Sequence, residues 1–213
     1  MYLSQWEPPC LRIFNTVYKI NQLPKLDAQV ISDIAYIMMD DFEWERFREN
    51  LDIDLWISHN WNRFRVNISK QQKSIMIVVR LLAQTIPTID ELGLPKIFKD
   101  LVSKTSWMIL VAGPTGSGKS TTLASMIEEV NANFQKHIIT IEDPIEYVFD
   151  AKKSLIEQKQ LWTDVLSFSR WLKAALRQKP DVILFGEMRD LDSIQNAITL
   201  AETGHLVLST IHS

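Results

Sequence analysis

The sequence predicts an α/β protein, a parallel sheet with crossover helices, preceded by a small α+β domain. Three observations carry this expectation. From Trp107 onward, apolar runs alternate with segments of helical periodicity, the order of βαβ units. Those runs are continuous rather than alternating, as strands covered on both faces require. Ahead of residue 87 the apolar runs are β-branched and aromatic and are separated by polar stretches, as strands of a small α+β domain are.

The chain has 213 residues, room for one large or two small domains, and at this length about 70% of the chain's surface is buried on folding. With 46% hydrophobic and 23% charged residues it falls among ordinary globular proteins, not disordered or collagenous ones. A single cysteine, Cys10, excludes an internal disulfide and a Cys-rich zinc site and points to a reducing cytosol. The longest clean apolar run, Trp107 to Ala112, is far shorter than the roughly 18 residues of a membrane span. Met1 to Cys10 lacks a basic stretch followed by an apolar one, so neither membrane insertion nor a signal peptide is expected. A formal net charge of −3 offers no basic field for nucleic acid.

Taken in order, Cys10 to Phe14 and Val17 to Ile20 read as a hairpin around Asn15-Thr16, because Asn tolerates the left-handed turn conformation. Asp27 caps a helix whose apolar residues Val30, Ile31, Ile34, Ile37 and Met38 share one face, and Asp40-Asp41 opens a second, charged helix to about Asn50. Leu55 to Ile57, Phe64 to Ile68 and Ile75 to Val79 are strands. This gives a first domain over residues 1–86. A linker with a short helix is expected over 87–104, where Thr88-Ile89-Asp90-Glu91 matches a capping box and Gly93 and Pro95 punctuate the residues after it. Residues 105–213 then supply strand Trp107–Ala112, helix Lys119 to about Asn131, strand His137–Ile141, helix Ser167–Gln178, strand Asp181–Phe185, helix Asp192–Ala201 and strand His205–Thr210.

Between the first of these strands and its helix stands Gly113-Pro114-Thr115-Gly116-Ser117-Gly118-Lys119-Ser120, a full match to G-x-x-x-x-G-K-[ST], continued by Thr121-Thr122. Glycines let successive backbone amides point into one concavity, and the helix N-terminus adds partial positive charge, so the loop suits the triphosphate of ATP. Lys119 would reach the β- and γ-phosphates, and the Ser120 hydroxyl would be a ligand of Mg²⁺.

Such a loop needs an acid at the carboxyl end of a second strand, where ligands bind in open parallel sheets. Val182 to Phe185 followed by Gly186-Glu187 supplies it, and Glu187 is the candidate for the metal side of the site. Glycine stands one position earlier, where many P-loop enzymes carry a metal-binding aspartate, so Glu187 is expected to act through a metal-bound water or on the attacking water. Strand His137–Ile141 runs into Glu142-Asp143-Pro144-Ile145-Glu146, three carboxylates in five residues, a crowding that invites a cation. For Glu142 and Asp143 a capped turn at Pro144 is an equal reading, and Glu146 is the functional candidate.

These residues resemble the GspE family, the secretion ATPases of type II secretion and type IV pili, nearest its PilT/PilU pilus-retraction branch. The resemblance rests on four linked motifs in family order: Gly113 to Ala124, Ile139 to Glu146 (the Asp box), Gly186 to Asp190 (Walker B) and Thr203 to His212 (the His box). Fainter agreement covers Pro8-Pro9 with Arg12, Arg63 to Asn67, and Ile86 to Leu92. The resemblance implies a PAS-like N-terminal domain joined to a RecA-like ATPase core, assembled as a homohexamer with ATP between neighbours. It implies that Glu146 activates water, that Glu187 assists at the metal, and that His205 and His212 couple the γ-phosphate to domain motion. Arg63, Arg65 and Arg80 lie where the family presents arginines to a phosphate, as arginine fingers do. Alternating Arg63 and Arg65 read equally as the solvent face of a strand, and each histidine as a strand-end hydrogen-bonding group.

Against the family pattern, the chain is expected to lack an opening helix and strand and, past Ser213, a C-terminal helical domain. The function this implies is ATP hydrolysis that drives pilus retraction and twitching motility, in a cytoplasmic bacterial protein peripheral to the inner membrane that works on a platform protein there. A type II secretion assembly ATPase and a nucleotide-binding module without turnover stand as alternatives, although Met188 after Glu187 favours the retraction branch. A P-loop kinase or nucleic-acid motor is disfavoured by the acidic balance and by the absence of basic runs interleaved with aromatics.

Overall fold

A computed structural model describes residues 1–82, 84–161, 164–186, 188 and 191–211. The chain divides after Gln84 into two units, Met1–Gln84 and Thr85–Ser213.

In the first unit, β1 (Tyr2–Leu3), β2 (Cys10–Ile13), β3 (Thr16–Lys19), α1 (Ala28–Met38), α2 (Asp41–Asn50), β4 (Asp52–His59), β5 (Asn62–Gln71) and β6 (Ser74–Leu81) follow one another. The strands form one antiparallel sheet in the order β3-β2-β1-β6-β5-β4. Asp27 accepts from the Val30 amide at 2.8 Å as the α1 cap, and Asp40 and Glu43 form a reciprocal capping box on α2. Tight turns at Asn60-Trp61 and Gln72-Lys73, with φ between 47° and 66°, match strand twist and let β4, β5 and β6 run longer than their apolar centres predict. The first hairpin turns one residue early. Phe14, at φ 53°, takes the left-handed position expected of Asn15-Thr16, and Thr16 pairs with Ile13. Alternate residues Ile53 and Leu55, Val66 and Ile68, Ile75 and Ile77 bury against Ile31, Ala35 and Phe47 of the helices, giving the α+β layer arrangement expected of the PAS-like domain.

The second unit contains α3 (Ile97–Val102), β7 (Trp107–Ala112), α4 (Lys119–Asn133), β8 (His137–Glu142), β9 (Leu155–Gln160), α5 (Phe168–Ala175), β10 (Val182–Phe185), α6 (Leu191–Glu202) and β11 (Leu206–Ile211). Its sheet is wholly parallel, in the order β7-β11-β10-β8-β9. Successive residues of the central strands leave the sheet on opposite faces. Ile138, Val182, Leu184, Leu206 and Leu208 join the core under α4. Ile139, Ile141, Ile183, Phe185 and Val207 join a second core under α5 and α6.

The 87–104 stretch, expected as a linker, packs into this second unit. Ile89 is fully buried and Val102 nearly so, in the α4 core, and the Ser125 hydroxyl donates to Pro87 O at 2.6 Å. The Thr88–Glu91 box forms in both directions, at 2.7 and 3.1 Å, but closes a turn rather than opening an α-helix. Helix α5 stops at Ala175, three residues short of the expected Gln178, where the Arg177 and Gln178 amides switch to bonds three residues back.

Candidate nucleotide-binding site

Strand β7 pairs with β11 out to Ala112 opposite Ile211, and the Gly113 amide adds a bond to Ile211 O at 3.3 Å. The chain then turns through Pro114, Thr115, Gly116 and Ser117 and enters α4 at Gly118, whose φ of 90° a side chain would oppose. A Cβ on Gly113 would stand 2.8 Å from Ser117 Oγ, so a side chain there would push that hydroxyl aside. No side chain caps α4, which leaves its first amides and its positive end to an anion. Lys119, only 9% exposed, folds back over the loop and donates through Nζ to Gly113 O at 2.8 Å and Pro114 O at 3.0 Å. Both acceptors are neutral carbonyls. A buried ammonium held this way suits a phosphate, which supplies the negative charge the loop lacks. Ser120 is exposed on the first turn, and Thr121 Oγ1 lies 3.0 Å from Tyr147 Oη.

Two strands from β7, β10 ends beside β8, with Phe185 opposite Ile141 and the Gly186 amide bonded to Ile141 O at 2.9 Å. The carboxyl ends that carry Glu142 and Gly186 are therefore neighbours, and a Cβ on Gly186 would lie 3.7 Å from Glu142 Cα. Glu187 follows directly but lies outside the described residues, as does His212. Glu142 turns inward: its carboxylate accepts from Thr140 Oγ1 at 2.7 Å, from Gln158 Nε2 at 3.3 Å and from the Glu146 amide. Burial pushes it up to about 7, against the pull of these three bonds, and the nearby Glu146 charge adds to the rise. Asp143, which precedes Pro144 across a cis peptide, and Glu146 are exposed. Among the described residues no group of three or more His, Cys, Asp or Glu is placed to hold a metal.

His205 stands apart from the loop. It precedes β11 at the sheet's amino end, whereas the loop leaves the carboxyl end, about 20 Å away at 3.3 Å per strand residue. Its Nδ1 lies 2.9 Å from Leu200 O and 3.2 Å from Thr203 Oγ1, closing the end of α6. Of its two readings, the geometry supports the strand-end hydrogen-bonding one, since a parallel strand cannot present both its ends to one ligand. Arg63, Arg65 and Arg80 belong to the first unit, on the sheet face opposite its helices, with Arg65 directly across from Arg80. Arg65 also pairs with Asp54 at 2.8 Å.

Two residues near the site carry no motif signal. Tyr147 reaches α4 from the segment after β8, and Gln158 holds that segment from β9. Only the pairing of β8 with β9, a non-local fact, brings them together.

A glycine-rich loop leading from a parallel strand into a helix, with a buried lysine over it and the end of a second strand two places along, defines a P-loop nucleotide-binding protein with a RecA-like core. The chain belongs to the family described as Type II/IV secretion system protein, whose model matches residues 11–213. It is 43% identical over its whole length to the type IV pilus retraction ATPase PilT of Pseudomonas aeruginosa, covering 62% of that protein. It is 44% identical over 96% of its length to a twitching motility protein of Neisseria gonorrhoeae, covering 55% of it, and 37% identical over 89% of its length to type II secretion system protein E of Aeromonas hydrophila, covering 38% of it. A crystal structure of the pilus retraction motor PilT with bound ADP superposes with a TM-score of 0.96 at 43% identity, covering all of this chain and 62% of that one. The ATPase DotB of Legionella pneumophila gives a TM-score of 0.83 at 27% identity, with all of this chain and 61% of that one covered. The chain thus spans between half and two thirds of the length of the pilus relatives it matches.

Proposed function

We propose that this chain is the nucleotide-binding part of an ATPase that converts ATP hydrolysis into pilus retraction. The observation that carries the reading is the Gly113–Ser120 loop with Lys119 buried over its carbonyls, in a fold that matches the ADP-bound retraction motor at a TM-score of 0.96. In this reading the loop amides and Lys119 bind and orient the phosphates of ATP. Glu146, exposed and anchored by its own amide on Glu142, takes the proton of the attacking water. Mg²⁺, when bound, offsets phosphate charge, and Ser120 and Glu187 are the residues that would hold it. The donor set fits: the exposed Ser120 hydroxyl is a hard oxygen on the first turn of α4, and the described residues offer no competing cluster of His, Cys, Asp or Glu.

Arg63, Arg65 and Arg80 then serve a neighbouring subunit's phosphate within a homohexamer, and the protein acts in the bacterial cytoplasm against an inner-membrane platform protein. No described helix is long and apolar enough to cross a membrane. Identity of 43–44% to the retraction ATPase PilT and the twitching motility protein over at least 96% of the chain, against 37% over 89% for the type II secretion protein, favours the PilT-like side of the family. Titration calorimetry tests the reading. Mg²⁺–ATP should bind the wild-type chain, and Lys119→Ala should abolish the heat by deleting the phosphate counter-charge. A wild-type chain silent at millimolar ATP refutes it.

A further inference from the structure

The segment between β8 and β9 presents Glu146 without regular secondary structure to hold it. Its backbone polar groups need partners from elsewhere, and β9 supplies them through two glutamines on one face of the strand. Gln158 Oε1 accepts from the Phe149 amide at 2.9 Å, and its Nε2 donates to Tyr147 O at 2.8 Å and to Glu142 Oε1 at 3.3 Å. Two residues on, Gln160 Oε1 accepts from the Ile145 amide at 3.4 Å. Ile145, Tyr147 and Phe149 are thus held on both sides of Glu146, while the Glu146 amide bonds to Glu142, which Gln158 also holds. At its far side the segment reaches α4 through Tyr147 Oη and Thr121 Oγ1, one residue past Ser120.

We propose that Gln158 is a positioning residue: its amide fixes the segment that carries Glu146, and Tyr147 transmits that placement to the helix that receives the phosphates. The proposal rests on the reading of Glu146 as the water-activating group. Gln158 uses both halves of a side-chain amide on three partners at once, which a glutamine serving only strand propensity does not do. A general base displaced by about 1 Å loses much of its effect, because proton transfer depends on alignment within hydrogen-bond reach.

The test uses the full chain with Gln158→Met, which keeps side-chain length without hydrogen bonds, and Gln158→Glu, which keeps an acceptor for the Phe149 amide but loses the donor to Tyr147 O. Amide hydrogen exchange without nucleotide, the dissociation constant of Mg²⁺–ATP, and kcat and KM are measured for each. In Gln158→Met the Phe149 amide should exchange about tenfold faster or more, while amides of α4 and β10 keep their rates. kcat should fall about tenfold or more with KM and ATP affinity within about twofold of wild type, a split that general damage to the fold would not produce. Gln158→Glu should retain protection at Phe149 yet still lose kcat. Unchanged exchange at Phe149 in Gln158→Met overturns the proposal, as does a loss of ATP affinity in step with kcat. Wild type that binds no ATP defeats the functional reading instead, and wild type that binds without turning over removes only the kcat arm. The exchange arm then decides the grip on the segment by itself, faster exchange supporting it and unchanged exchange overturning it.

Discussion

Glu142 makes the stability of the second unit depend on pH. Free in an unfolded chain, its carboxyl titrates at 4.5, whereas in the folded protein burial pushes it up to about 7. Below 4.5 both states hold the proton and the group is neutral in its effect. As pH rises past that point the unfolded chain releases the proton while the folded chain keeps it, so the unfolded state gains and stability falls until the folded group ionises at about 7. At about 1.4 kcal/mol per pH unit, the gap between 4.5 and about 7 amounts to about 3 kcal/mol lost by pH 8, a substantial share of a typical 5–15 kcal/mol stability. Glu142→Gln keeps an acceptor for the Thr140 hydroxyl and removes the charge. Urea unfolding at pH 5, 6, 7 and 8, followed by circular dichroism and tryptophan fluorescence and fitted with a transition for each unit, should show the wild-type second unit weakening with pH relative to the variant. The advantage of the variant, already just under about 1 kcal/mol at pH 5, should open by roughly a further 2 to 3 kcal/mol by pH 8. Parallel wild-type and variant curves across that range would show that the Glu142 carboxyl is not desolvated and would sink the reasoning.

Gly113→Ala should weaken ATP binding by at least tenfold in calorimetry, because its Cβ would meet Ser117 Oγ at 2.8 Å, and Ser117→Ala in the same chain should restore part of the loss. No rescue would locate the defect elsewhere. Glu146→Gln and Glu187→Gln should retain nucleotide affinity while hydrolysis, measured by phosphate release, falls about 100-fold, as for loss of a general base; undiminished turnover in either variant removes that residue from the mechanism. Hydrolysis per chain should rise with protein concentration, and mixing Lys119→Ala with Arg80→Ala chains should recover activity, since a shared interface can join one intact loop to one intact arginine. A monomer by light scattering with full activity would refute the subunit-bridging role of the arginines.

What was legible in the sequence was what local periodicity and spacing encode. The loop motif, its flanking strand and helix, and the caps at Asp27 and Asp40 all formed in place. Strand β9 escaped notice because four of its six residues, Glu157 to Gln160, are polar: it borders only β8, and those side chains serve the neighbouring segment and each other instead of a core. The two-residue β1 is too short for any period to register. The Glu142–Glu146 turn looked like one acidic cluster, and only the fold separates an inward carboxyl bonded to Thr140 from an exposed one. His205 was tied to the γ-phosphate only by resemblance, and in the fold it stands at the amino end of β11, away from the loop.

The alternation of β8, β10 and β11 between two cores has a consequence for how this unit can change over time. Val182 and Leu184 belong to the core beneath α4, Ile183 and Phe185 to the one beneath α5 and α6, so adjacent positions in one strand answer to different neighbours. Volume changes on one side are absorbed by side chains that never meet those on the other, and effects of substitutions without shared partners tend to add. A lineage can therefore rebuild the α5–α6 side, residue by residue, without renegotiating the packing that holds the nucleotide loop. Insertions are the exception: one extra residue within β10 would exchange the allegiance of every position after it, so drift in this sheet is free in composition and closed in length.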